Sequence, residues 1–112
     1  MSEIERPTNY WALTITNSLT TTEEMNVEGW SALKAYLPAG YLSTTFTFYS
    51  WDPRTQNYLQ EKETGTTNNL SLAVAANGAY PLPDQLFAAK RVKVVSNNAG
   101  DNAVVVTVVG KA

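Results

Sequence analysis

Cysteine and histidine are both absent from this 112-residue chain. Without cysteine there is no disulfide framework, no thiolate nucleophile and no zinc–thiolate site. Without histidine the chain lacks the commonest general base, the Ser-His-Asp arrangement and the commonest metal ligand. Charge is scarce as well: 8 basic against 10 acidic residues, a net charge of -2. A protein that grips nucleic acid through its phosphates is normally far more basic, so no nucleic-acid partner is expected. No stretch approaches the roughly 18 apolar residues of a membrane-spanning helix, so no membrane partner is expected either. The polar start, Met1-Ser2-Glu3-Ile4-Glu5-Arg6-Pro7, lacks the apolar core of a secretory signal, which points to synthesis in a cytoplasm.

What the chain does have is apolar residues, 44% of the total, enough for one domain to bury a core unaided. Residues 1–9 read as an extended N-terminal arm, because Ile4 is their only large apolar residue and Pro7 interrupts regular structure. Residues 10–112 read as a single domain, with no repeat, charge block or Gly/Ser linker to divide them.

The dominant pattern after the arm is alternation with period two. Trp11, Leu13 and Ile15 share one face, and Met25 with Val27 form a short second set. Leu33, Ala35 and Leu37 follow, with Lys34 and Tyr36 on the opposite face. Ser43 to Trp51 is the strongest strand, dense in β-branched and aromatic residues, with Phe46 and Phe48 inward. Asp52 to Asn57 reads as a hairpin loop, and Leu70, Leu72 and Val74 alternate before a turn at Asn77-Gly78. Two prolines make Tyr80 to Phe87 a crossing loop that ends in a helical turn capped at Asp84. Arg91 to Ser96 and Ala103 to Val109 are the last two strands. Short strands at this spacing, with almost no helical periodicity, predict an all-β antiparallel sandwich, jelly-roll-like.

Carboxylates are the remaining catalytic currency. Glu23 and Glu24 are adjacent and so point to opposite faces of a strand, whereas Glu61 and Glu63 share a face. Both pairs flank turns, where solvated acids are ordinary. Asp101-Asn102 is the nearest approach to a calcium loop, but turn chemistry accounts for it. Arg91 and Lys93 share a strand face with Lys90 beside them, as charges on a wet face do. The sequence therefore predicts no enzyme, no catalytic residue, no metal and no cofactor.

Two features point to binding instead. Tyr36, Tyr49 and Trp51 have outward parity, and Tyr41 follows the Pro38-Ala39-Gly40 turn, so these four are candidate contact aromatics. The last strand is apolar on both faces, which makes Val104, Val105, Val106 and Val108 a candidate oligomer strand.

Four segments also carry a likeness: Leu37-Pro38-Ala39-Gly40-Tyr41, Thr45 to Asp52, Leu82 to Phe87 and Arg91 to Ser96. In this order they resemble small structural proteins of tailed-phage particles, across roughly residues 33–109. There a P-x-x-W/Y turn precedes an L-T-F-x-x-S-x-D-G strand, and an L-P-x-x-x-F crossing precedes an R-x-x-x-x-x-S strand. Pro53 stands here in place of the glycine, and Val95 where arginine often precedes the serine. The resemblance implies a capsid decoration or cement protein, assembled in the host cytoplasm and carried on the head surface of the virion. Its partners would be the major capsid protein and copies of itself, with a trimer implied. In that setting Ile4 would serve as a small apolar contact and Arg6 as a fork for a carboxylate or carbonyl. The alternative is a carbohydrate-binding module or adhesin that uses the outward aromatics on glycans.

Overall fold

The computed structural model describes residues 8–112. Its strands are Thr8–Thr14 (β1), Glu24–Asn26 (β2), Ala32–Tyr36 (β3), Thr45–Asp52 (β4), Asn57–Gln60 (β5), Ser71–Ala73 (β6), Ala79–Pro81 (β7), Arg91–Ser96 (β8) and Val105–Lys111 (β9). They form two antiparallel sheets. One has four strands in the order β1-β9-β3-β7; the other has five, ordered β2-β8-β4-β5 with β6 also paired to β4. The chain is all-β and packs as a sandwich, as its alternation predicts. The first strand begins at Thr8, so Thr8 and Asn9 belong to the sheet rather than to the arm. Ile4 and Arg6 lie outside the described residues.

Alternate side chains from both sheets meet in one core. Leu13 and Ile15, Met25 and Val27, Leu33, Ala35 and Leu37 are all buried, as expected from their parity. Phe46 and Phe48 are 0% exposed. Burying a side chain of this size contributes roughly 1.5–3 kcal/mol, which is why the β4 register is not free to slip.

The last strand occupies a different place from the one expected of it. β9 sits inside the four-stranded sheet, paired on one side to β1 and on the other to β3. Val106 and Val108 point into this chain's own core and are 0% exposed, so neither is available to another subunit. Val104 precedes the strand and is partly buried against the same core. Of the four valines proposed as an oligomer strand, Val105 alone is a surface residue, 47% exposed. The physical reason is position: a central strand has both edges hydrogen-bonded and one whole face committed to the interior.

The segment around Tyr80 also differs. Ala79–Pro81 is a short strand, not a loop, and it forms the outer edge of its sheet beside β3. Leu82 N–H bonds the Leu33 carbonyl, so by alternation the Tyr80 N–H faces β3 and the Pro81 nitrogen faces away. The missing N–H costs nothing on that side. The 3-10 turn over Asp84–Ala88 starts from Pro83, with no side chain capping it. The cap expected at Asp84 is therefore absent; the proline's φ of -59° already sets the turn.

One end of the sandwich is closed by side chains acting as backbone partners. Asp101 is 0% exposed, and its carboxylate accepts the Leu42 N–H and the Ser96 hydroxyl, both at 2.7 Å. Asn97 Oδ1 accepts from Ser43 Oγ, Thr44 N and Thr45 N. Together they tie the loop after β8 to the chain entering β4. At the hairpin between β4 and β5, Asp52 accepts the Arg54 N–H and the Thr55 hydroxyl, and Gln56 takes a left-handed φ of 57°. The Thr55 hydroxyl first, then the Arg54 amide, hold the Asp52 carboxyl below its ordinary range.

Two outcomes follow from these polar contacts. Replacing Asp101 by Ala removes the acceptor of the buried Ser96 hydroxyl and of the part-buried Leu42 N–H and should cost about 2–4 kcal/mol, with Asp101→Asn milder; chemical denaturation measures both. An unchanged midpoint for Asp101→Ala would show that the loops are held by something else. For Asp52, a depressed folded pKa means stabilisation present above the unfolded value, about 4, and lost as pH falls through the folded value. Acidification below pH about 4 should speed exchange of the Arg54 amide in the native protein, and Asp52→Asn should remove that acid step.

Candidate functional site

The four aromatic residues singled out as contacts do not come together. Tyr41 is 3% exposed. Its hydroxyl donates to the Ile15 carbonyl at 3.0 Å and its ring meets Phe46 edge-on at 5.9 Å. Burial, then the Asp101 charge, push its phenol pKa up. It is a core residue that ties two loops and not a surface contact, because the turn before it aims the ring inward. Tyr36 lies on the outer face of the four-stranded sheet, whereas Tyr49 and Trp51 lie on the outer face of the five-stranded sheet. Two candidate surfaces therefore stand back to back.

On the five-stranded sheet, antiparallel pairing puts Trp51 opposite Tyr58 and Tyr49 opposite both Gln60 and Lys93. Residues directly opposite share a face, so these side chains meet above the sheet. The Arg91 guanidinium lies 4.3 Å from the Trp51 ring centroid, and Trp51 meets Tyr58 edge-on at 5.2 Å. Lys93 Nζ stands 5.0 Å from the Tyr58 ring and donates to the Leu19 carbonyl. Tyr58 donates its hydroxyl to Glu24, which also faces Arg91 at 3.6 Å. Burial first, then the bond to Glu24, raise the Tyr58 pKa, so the phenol is held as a neutral donor. Cations sit over rings and a carboxylate closes the circuit, so each group already has its partner within the chain.

A groove of about 340 Å³ opens beside this circuit, lined by Trp51, Pro53, Ala88, Ala89, Lys90 and Arg91. Lys90 is paired to Glu28 at 3.7 Å across its exposed rim. For a sugar, the approach to Trp51 from the Arg91 side is closed by the guanidinium.

The four-stranded sheet presents the opposite case. Register places Tyr10, Val109, Lys34 and Pro81 in one row across its outer face, and Ala12, Thr107, Tyr36 and Ala79 in the next. Tyr10 is 70% exposed, Tyr36 43% and Val105 47%. Lys34 and Lys111 are the only charged side chains of these paired strands on that face among the described residues, and no carboxylate joins them. A shallow groove of about 360 Å³ runs between Ala32, Lys34, Tyr36, Pro81, Val109 and Lys111. A face of this composition is what a protein contact would dehydrate at small cost.

Catalytic geometry is a separate matter. Glu23 accepts the Thr14 N–H, Glu24 serves Tyr58, and Glu61 accepts from Gln85 at 3.0 Å. Each of these three carboxylates is spent on a local bond. Among the described residues, no three Asp or Glu side chains group as metal ligands would.

Parity alone does not identify Tyr58 and Arg91 as partners of Trp51, although the sequence holds a signal for the first. A four-residue loop after Asp52 sets the hairpin register, and that register puts Trp51 against Tyr58. The Asp101 clamp had no comparable signal, because its partners are 59 and 5 residues away.

A double-mutant cycle with Arg91→Ala and Trp51→Ala should give a coupling of about 0.5–1 kcal/mol for this contact. Zero coupling would mean that the indole stands free for another molecule.

Comparison with protein-family models, curated proteins and solved structures found no match, so function rests on what these two surfaces can do.

Proposed function

We propose that this protein is a non-catalytic structural subunit of a tailed-phage particle, a decoration protein that docks on the head through the outer face of its four-stranded sheet. The observation that carries this reading is the character of that face: Tyr10, Tyr36 and Val105 exposed together on a rigid sheet whose described strands carry two lysines and no carboxylate on that face. Large rings with few rotamers supply binding energy at low entropic cost, and the lysines suit a partner surface bearing acidic groups. The likeness of the Leu37–Tyr41 turn, β4, the Leu82–Phe87 crossing and β8 to phage structural proteins supplies the setting. Many equivalent contacts repeated around a closed shell would raise the barrier to its opening without any tight single site.

The glycan-binding alternative is weaker on two counts. Tyr41 is buried, and Trp51 is stacked under Arg91, so no bare row of rings faces solvent on the five-stranded sheet.

The test uses particles. Heads assembled without the protein should rupture at lower temperature than complete heads, and added protein should restore the difference. Val105→Glu and Tyr36→Glu change exposed side chains, so both variants should fold normally yet bind heads at least about tenfold more weakly. Equal rupture temperatures with and without the protein would overturn the cementing role. Unchanged binding by both variants would move the docking surface elsewhere.

A further inference from the structure

The four-stranded sheet ends at β1, and no described strand pairs with the far side of that strand. Which backbone groups face outward follows from the hydrogen bonds. Thr14 N–H bonds the Glu23 carboxylate, and Thr14 C=O accepts from Glu23 N–H at 3.4 Å, so Thr14 is turned away from β9. Pairing alternates along a strand, so Tyr10 and Ala12 are turned outward with it, while Trp11 and Leu13 bond to β9. The other side of the sheet gives the same answer. Ser31 N–H bonds the Lys111 carbonyl, which directs Lys111 and Val109 toward β3 and leaves Val106, Val108 and Gly110 facing β1. The N–H and C=O groups of Tyr10 and Ala12 therefore line an open edge.

Natural edges of this length are normally guarded by lysine, by an inward charge, by a proline or by a bulge. β1 reads Thr-Asn-Tyr-Trp-Ala-Leu-Thr and pairs with β9 without interruption over Thr8–Thr14. It has no charged residue and no proline. Its Thr14 end is covered by Glu23.

We propose that this edge is a self-association site, where β1 of a second copy adds antiparallel about a two-fold axis at Trp11. In that register Tyr10 of each copy faces Ala12 of the other, and each such pair can exchange both backbone bonds. A large ring then lies beside a small side chain on the outer face. Trp11 meets its own counterpart at the axis, in the wide pair where side chains approach most closely. It is half-buried at the rim of the core, with Trp30 edge-on at 5.5 Å, so the axis carries an aromatic contact as well as a ladder.

Three features favour a second copy over a foreign strand. An uncharged strand places no like charges opposite one another when it pairs with itself. The antiparallel arrangement brings the Glu23 end of one edge toward the Thr8 end of the other, where Lys111 stands on the neighbouring strand, so opposite charges approach. The pairing is also closed: each edge satisfies the other, giving a dimer with one continuous sheet and no further growth. That differs from the three-fold assembly implied by the phage likeness. It uses the edge of the sheet and, of the outer face, only the Tyr10 margin, leaving Tyr36 and Val105 free, so it does not depend on the docking proposal.

The experiment is sedimentation of the full chain from about 1 to about 100 μM, with amide exchange followed over the same range. The expected result is a monomer–dimer equilibrium in which the Tyr10 and Ala12 amides slow as concentration rises. The Trp11 and Leu13 amides, bonded to β9, should be protected throughout. Ala12→Pro removes an N–H that has no strand partner within the chain, so it should keep the fold at low concentration. It should raise the dimer dissociation constant about tenfold or more. A chain that stays monomeric over the whole range, or that forms trimers, would sink the proposal. A dimer whose Tyr10 and Ala12 amides exchange as they do in the monomer would place the contact elsewhere and overturn it equally, even if Ala12→Pro failed to fold.

Discussion

The shared interior between the two sheets is the constraint from which the rest of this structure follows. Phe46 and Phe48 from one sheet and Val106 and Val108 from the other belong to a single core, and all four are fully buried. Because side chains alternate across a strand, committing one face of β4 and β9 to that core dictates what their other faces can present. Thr47, Tyr49 and Trp51 must lie outward on one side of the sandwich, and Val105, Thr107 and Val109 on the other. Both candidate surfaces are thus consequences of the same packing, seen from opposite sides.

The ends of the sandwich need a different solution, since loops there bury backbone groups that no strand can pair. Asp101 and Asn97 answer that need by accepting several backbone and hydroxyl donors at once. Tyr41 adds a bond from its phenol to the Ile15 carbonyl. These residues look like surface chemistry in a sequence and work as interior carpentry in the fold. They hold the entry to β4 against the exit from β8, and so fix the strands that carry Trp51 and Arg91.

The two outer faces differ in how far they satisfy themselves. On the five-stranded sheet, Arg91, Trp51, Tyr58, Lys93 and Glu24 form a circuit in which each charge meets a ring, a hydroxyl or an opposite charge. A ligand there has to displace a contact before making one. The four-stranded sheet leaves Tyr10, Tyr36 and Val105 open, with Lys34 set 5.9 Å from the Tyr36 ring. The proposed docking role therefore falls to the face whose interactions are unfinished.

Period-two alternation made the fold class, most of the core and the outward parity of Tyr36, Tyr49 and Trp51 readable from the chain alone. That follows from local geometry: a strand's two faces are set by its own backbone, so each can be read without knowing its neighbours. The absence of histidine and cysteine likewise limits the available chemistry at the level of sequence. Strand order could not be read this way, because pairing is decided between segments far apart in the chain. Only the fold put β9 between β1 and β3, turning Val106 and Val108 from expected contact residues into core, and left β1 at an edge. Only the fold turned Tyr41 inward and joined Trp51 to Arg91, 40 positions further along the chain. Local alternation says which way a side chain points; the tertiary pairing decides whether another part of the chain is waiting there.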